Sequence, residues 1–182
     1  MRIRPSISLW AACVALATFG VCVLLPPVGG ALAADPPQNA QRKGSGLPLP
    51  RFASMRADEA NVRAGPGTRY PIEWVFRRKG MPVEIVAEYE NYRKIRDWQG
   101  ASGWVHQSLL TGKRSFIIPA KPASLHKTPA KAAEVVAKLE PEVMGEIRSC
   151  SGDWCRVRVS SGVSGWLERT AFWGVYKSEP IN

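Results

Sequence analysis

Histidine and cysteine are scarce in this chain of 182 residues, which holds two of the first and four of the second. A structural zinc site takes about four ligands from such residues, and His106 and His126 are widely spaced, so no metal is expected. Serine is plentiful but never sits in a G-x-S-x-G elbow. Asp97 and the scattered glutamates form no acid/base pair. No catalytic residue and no cofactor follows from such a pattern. Basic blocks are short too: the longest is Arg77-Arg78-Lys79, so the net charge of +10 gives no nucleic-acid track.

What the chain does have begins at its N-terminus. Arg2 and Arg4 precede Leu9 to Leu25, an apolar run without a charge, which Pro26, Pro27 and Gly29-Gly30 break. Ala31-Leu32-Ala33 then offers a small-x-small cleavage site, so residues 1–33 read as a signal peptide and the location as periplasmic or secreted. The alternative is an uncleaved membrane anchor, because the run is nearly long enough to span. Residues 34–51 hold four prolines and two glycines and read as a flexible or extended tether. Export also argues against a nucleic-acid partner.

Cleavage would leave two cysteines, Cys150 and Cys155, in the stretch CSGDWC. An oxidising compartment favours a bridge between them. A redox pair more often reads C-x-x-C, and a metal would lack ligands. A disulfide at the neck of a hairpin is the best reading, worth about 2 kcal/mol by loop-closure entropy.

Past the tether the chain repeats at an offset of 62. EIVAEYENYRKIRDWQGASGWV (84–105) lies over EIRSCSGDWCRVRVSSGVSGWL (146–167) without a gap. Glu84, Ile85, Arg96, Gly100, Ser102, Gly103 and Trp104 meet identical residues, which marks a duplication. Cys150 and Cys155 fall on Glu88 and Arg93, so one copy places opposite charges where the other places thiols. Such a cross-strand charge pair is worth roughly 0.2–1 kcal/mol.

Each copy reads as short strands. In MPVEIVAEY, Met81, Val83, Ile85, Ala87 and Tyr89 alternate with Pro82, Glu84 and Glu88, the period of a half-buried strand. Asn91 and Gly152-Asp153 mark the next turn, after which YRKIRDW and WCRVRV return. Simple pairing would set Ile147 opposite Arg158, so a bulge must absorb one residue in each hairpin. AKAAEVVAKLE has a helical composition, but its alignment with RYPIEWVFRRK predicts strand. KRSFII (113–118) and WGVY (173–176) are expected to close the two units. The fold class is all-β, two tandem small barrels over 52–118 and 119–178, with 179–182 as a tail.

Asn61-Val62-Arg63-Ala64-Gly65-Pro66-Gly67 followed by Tyr70-Pro71 resembles the opening signature of bacterial Src-homology-3-like (SH3b) domains. G-x-x-G-W-V (100–105) and Trp173-Gly174-Val175-Tyr176 resemble the closing strands of an exported tandem form from alphaproteobacteria. The second copy carries Leu125-His126-Lys127-Thr128-Pro129 where the Arg-Ala-Gly-Pro motif is expected. The resemblance implies a non-catalytic binding module, with a cell-wall peptide or a periplasmic protein as partner; an adaptor role in the envelope is the alternative, and a hydrolase a more remote one. Eukaryotic relatives grip polyproline with a Pro-x-x-Tyr closing turn, which is absent here. Small barrels present exposed aromatics between loops, so the candidate ligand-binding residues are Tyr70, Tyr92, Trp98 and Trp154, with Asp153 to orient a cation beside Trp154.

Overall fold

The computed structural model describes residues 44–182, and all of them fall within one compact unit, Asn39–Asn182. The signal-peptide assignment lies outside the described residues, as does most of the tether. Alternating apolar residues and turn signals become strands throughout. The first sheet contains β1 (Arg51–Met55), β2 (Ala60–Arg63), β3 (Ile72–Phe76), β4 (Pro82–Tyr89), β5 (Tyr92–Arg96), β6 (Ser102–His106) and β7 (Leu110–Thr111), in the order β3-β2-β6-β5-β4-β1-β7. The second contains β8 (Ser115–Ile117), β9 (Ala123–His126), β10 (Val135–Leu139), β11 (Met144–Ser151), β12 (Trp154–Val159) and β13 (Ser164–Glu168), in the order β10-β9-β13-β12-β11-β8. The only described helices are two single 3-10 turns, Gln107–Leu109 and Arg169–Ala171. No helix among the described residues is long and apolar enough to cross a membrane. Val135–Leu139 is strand despite its helical composition, because pairing with β9 overrides local propensity.

The duplication is exact in register. Ile85 faces Ile95 and Ala87 faces Lys94, with one residue absorbed between; Ile147 faces Val157 and Ser149 faces Arg156, with the same slip. The bulge lets the apolar residues of both strands keep the core face. Each turn then uses a left-handed residue at the same aligned position, Glu90 (φ 47°) and Gly152 (φ 53°).

Each barrel has its own core. Met55, Val62, Val83, Ile85, Ile95 and Val105 pack in the first; Phe116, Leu125, Ile147, Val157, Leu167 and Phe172 pack in the second. Closure of each barrel needs a glycine at one crossing. A Cβ on Gly103 would stand 2.4 Å from Val62 Cγ1, and one on Gly165 2.7 Å from Leu125 Cγ. Any side chain there would prise the strands apart.

The two hairpins are clasped differently. Cys150 and Cys155 form a disulfide across β11 and β12, with their Cα atoms 4.0 Å apart. In the first copy Arg93 Nε lies 3.0 Å from Glu88 Oε1, and both side chains are about 5 % exposed. Arg51 also pairs with that oxygen, and Ser45 donates to the carboxylate through its N–H and its hydroxyl (2.7 Å). Burial pushes the Glu88 carboxyl up, but the hydrogen bonds from Arg51 and Ser45 outweigh it and hold it down at about 2. The end of the tether is therefore fastened to the barrel instead of lying free: Ser45 and Arg51 supply the donors that a buried carboxylate requires.

Two further expectations are corrected by the pairing of the barrels. Residues 115–117 do not close the first unit; they pair with β11 and open the second, as β1 pairs with β4. The closing role in the first copy belongs to Leu110–Thr111 on β1, matched by Trp173 on Ile117 in the second. Glu84 does not face solvent either. The Tyr176 hydroxyl donates to its Oε1 at 2.7 Å, and Phe52 packs against the Tyr176 and Trp173 rings at 4.7 and 4.8 Å. Ser54 and Ser115 hydroxyls join the two barrels at 2.5 Å. Burial, followed by the bond to Glu84, drives the Tyr176 hydroxyl well above its ordinary value.

Candidate binding faces

Strand alternation sends Arg93, Ile95 and Val105 inward and leaves Tyr92, Lys94, Trp104 and His106 on the outer face of the first barrel. Tyr92 lies opposite His106, and Lys94 opposite Trp104. The Tyr92 ring meets the His106 ring edge-on at 5.4 Å and 84°, and Tyr89 meets Trp104 at 6.4 Å and 85°. His106 Nδ1 accepts from the Ser108 N–H, which fixes the imidazole plane. Arg63, opposite Trp104, donates to the Thr68 and Tyr70 carbonyls at 3.2 and 2.8 Å and so pins the loop 64–71. Within that loop the Tyr70 ring covers Gly65, where a Cβ would come within 2.4 Å of it, and the Arg69 guanidinium stands 5.2 Å above the ring.

The second barrel builds the same kind of face by another route. Trp154 meets the His126 ring edge-on, again at 5.4 Å and 84°, but this imidazole comes from β9 instead of the strand beside Trp154. Trp166 lies between His126 and Arg156 in the sheet. His126 Nδ1 is 3.1 Å from the Ala133 carbonyl, which can only accept, so Nδ1 carries the proton. Glu168 occupies the position of His106 and pairs with Lys131 at 3.4 Å.

Of the residues singled out from sequence, Tyr92 and Trp154 occupy matching positions on the two faces, and Tyr70 flanks the first. Trp98 stands apart, in the turn at the other end of β5, beyond about 13 Å of strand. Its turn is held by Asp97, whose Oδ1 accepts from the Gln99 and Ala101 N–H groups. Asp153 is exposed at the tip beside Trp154, and its carbonyl accepts from the Arg169 N–H. Trp104, Trp166, His106 and His126 are not among the residues the sequence pattern singles out, and Tyr89 enters there only as a strand position. The period-two alternation from Tyr92 and Trp104 was the available signal for His106. His126 had none, because β9 reaches Trp154 only through the fold.

The arrangement offers aromatic contact surface on both barrels. The two described cysteines are bridged, and no cluster of three or more His, Cys, Asp or Glu among the described residues could hold a metal ion. Ser124 and Lys127 do stand in an S-x-x-K spacing. That spacing serves a nucleophile on a helix, where positions three apart share a face. Here Ser124 is on strand β9, where such positions face opposite ways, and Lys127 pairs with Glu134 at 3.0 Å.

Two barrels in tandem, of seven and six strands, each closed by a 3-10 turn and each with an aromatic outer face, define a pair of SH3-like modules. The family comparison agrees. The profile described as "Bacterial SH3 domain" matches residues 56–112 and again 120–174. The chain belongs to this family, whose domains are typically binding modules without catalysis. No curated protein sequence matches significantly. Among solved structures the chain is similar to NlpC1 and NlpC2 from Trichomonas vaginalis, each at 10 % identity and a TM-score of 0.33. The likeness covers 74 and 73 % of this chain, which spans about half the length of each (49 and 51 %).

Proposed function

We propose that the chain is an exported, non-catalytic module that holds a cell-envelope ligand, a peptidoglycan peptide, on the outer faces of its two barrels. The observation that carries this reading is the matched pair of edge-on rings, Tyr92 with His106 and Trp154 with His126. Two barrels that reach one geometry through different strands keep the contact surface while the supporting residues change. Aromatic faces supply large rigid contact area at small entropic cost. Lys94 beside Trp104, and Arg156 beside Trp166, would attract the carboxylates of a peptide. Two linked faces also raise the effective concentration of the second contact.

Retention on purified sacculi tests the reading. Wild-type chain is expected to bind, and Tyr92→Ala or Trp154→Ala to weaken binding by about tenfold or more, as truncating an aromatic anchor does. An absence of retention at low salt would remove the cell-wall ligand. Specific crosslinking to an envelope protein would then assign an adaptor role.

A further inference from the structure

The duplication builds one rung of side chains twice, and only one of the two is closed. In the first barrel Phe52, Glu84 and Arg96 lie across β1, β4 and β5. In the second Ser115, Glu146 and Arg158 lie across β8, β11 and β12. Tyr176 closes the first rung from above, packed on Phe52 and bonded to Glu84, while Arg96 Nε donates to the other carboxylate oxygen at 2.9 Å. On the second rung serine replaces phenylalanine and no ring among the described residues covers Glu146, whose side chain is 50 % exposed. A cleft of about 420 Å³ opens there, walled by Ser115, Gly145, Glu146, Arg158 and, from the first barrel, Lys79 and Gly80.

The charges are also rearranged. Glu146 turns to Arg148, with Nη2 to Oε2 at 2.7 Å, and so releases Arg158, whose counterpart Arg96 is consumed by Glu84. The side chains of Arg158 and Lys79 have no hydrogen-bond or ion-pair partner among the described residues. Three cations, Lys79, Arg148 and Arg158, surround one carboxylate, which leaves the cleft near +2.

We propose that this cleft is a phosphate-binding site, taking a phosphomonoester dianion seated between Arg158 and Lys79, whether free in solution or carried on a lipid headgroup. The dianion matches the excess charge. A guanidinium presents two parallel N–H donors to two phosphate oxygens, and an ammonium adds a point charge from the other wall. Glu146, neutralised by Arg148, does not oppose the anion. The volume suits a small organic phosphate. Trp154 is about 13 Å of strand away from Arg158, so this site is separate from the aromatic faces.

The test uses the full chain with three probes: inorganic phosphate, glycerol 3-phosphate, and phosphatidylcholine vesicles with and without phosphatidic acid. Saturable amide shifts at Gly80, Gly145 and Ser160, or co-sedimentation that requires phosphatidic acid, are the expected responses; which probe succeeds identifies the source of the phosphate. Arg158→Ala should weaken binding about tenfold or more, the loss of a charged hydrogen bond, and Lys79→Glu should abolish it. Both side chains are exposed, and unchanged melting temperatures would confirm intact folds. Arg77→Glu, an equal charge change at a residue paired with Glu59, should leave affinity within about twofold. Three results would overturn the site: no saturable response to any probe, equal weakening by Arg77→Glu, or tighter binding of succinate than of phosphate.

Discussion

Glu88 with Arg93, and Cys150 with Cys155, fasten one backbone in two ways. Both hairpins carry the same bulge and the same left-handed turn, and both pairs face each other across the strands. The covalent clasp is complete in itself. The ionic clasp is not, because a buried carboxylate loses several kcal/mol of hydration, and one arginine does not satisfy both its oxygens. Arg51 and Ser45 are drawn in as further partners, which ties the segment before β1 to the barrel. Beside the second hairpin the C-terminal segment lies instead, with the Cys150 N–H donating to the Ile181 carbonyl at 2.8 Å. A bridge stiffens locally, while a buried charge recruits its surroundings.

The largest expected effect breaks the ionic clasp. Glu88→Gln leaves two arginines facing a neutral group, one of them with a 6 % exposed side chain, and should destabilise the first barrel by about 3 kcal/mol in denaturant titration. The double substitution Glu88→Cys with Arg93→Cys, which copies the second hairpin, should recover at least half of that loss. Acid should reach the same clasp without mutation. The folded Glu88 value of about 2 lies below its ordinary 4.5, so its contribution is full above 4.5 and is lost as pH falls from 4.5 through 2. The loss should amount to roughly 2–3 kcal/mol and be absent in Glu88→Gln. Reduction of Cys150–Cys155, or the double alanine variant, should remove about 2 kcal/mol from the second barrel and leave its acid response unchanged. The smallest effect sharpens the comparison at the turn. Glu90 holds a left-handed conformation that Gly152 adopts freely, so Glu90→Gly should stabilise the first hairpin by about 0.5–1 kcal/mol in thermal melts.

Much of this is legible in the sequence. The offset of 62 located both barrels, the misfit of Ile147 with Arg158 demanded the bulge, and the alignment of Glu88 and Arg93 with the cysteines predicted a pair of clasps. These features are local, set by neighbouring strands joined by short turns. The features that escaped are long-range. Tyr176 reaches Glu84 across 92 residues, and Ser45 reaches Glu88 across 43. Period-two alternation placed Glu84 in solvent because it describes a single sheet and knows nothing of a second barrel laid on that face. KRSFII was assigned to the wrong unit for a similar reason: an apolar strand at a boundary pairs equally well with either side until the sheets are seen. On the candidate faces, Tyr92 and Trp154 were visible through the duplication, whereas His126 came to Trp154 by a strand from elsewhere in the sheet.

Site-resolved hydrogen exchange tests most directly whether two barrels, each with its own core, share one hairpin fastened by different chemistry. Protection factors would be compared at pH 7 and pH 3, each with and without reductant. Acid should lower protection across β4 and β5 alone, and reductant across β11 and β12 alone. Loss of protection in both hairpins under either treatment, or the reverse assignment, would contradict it.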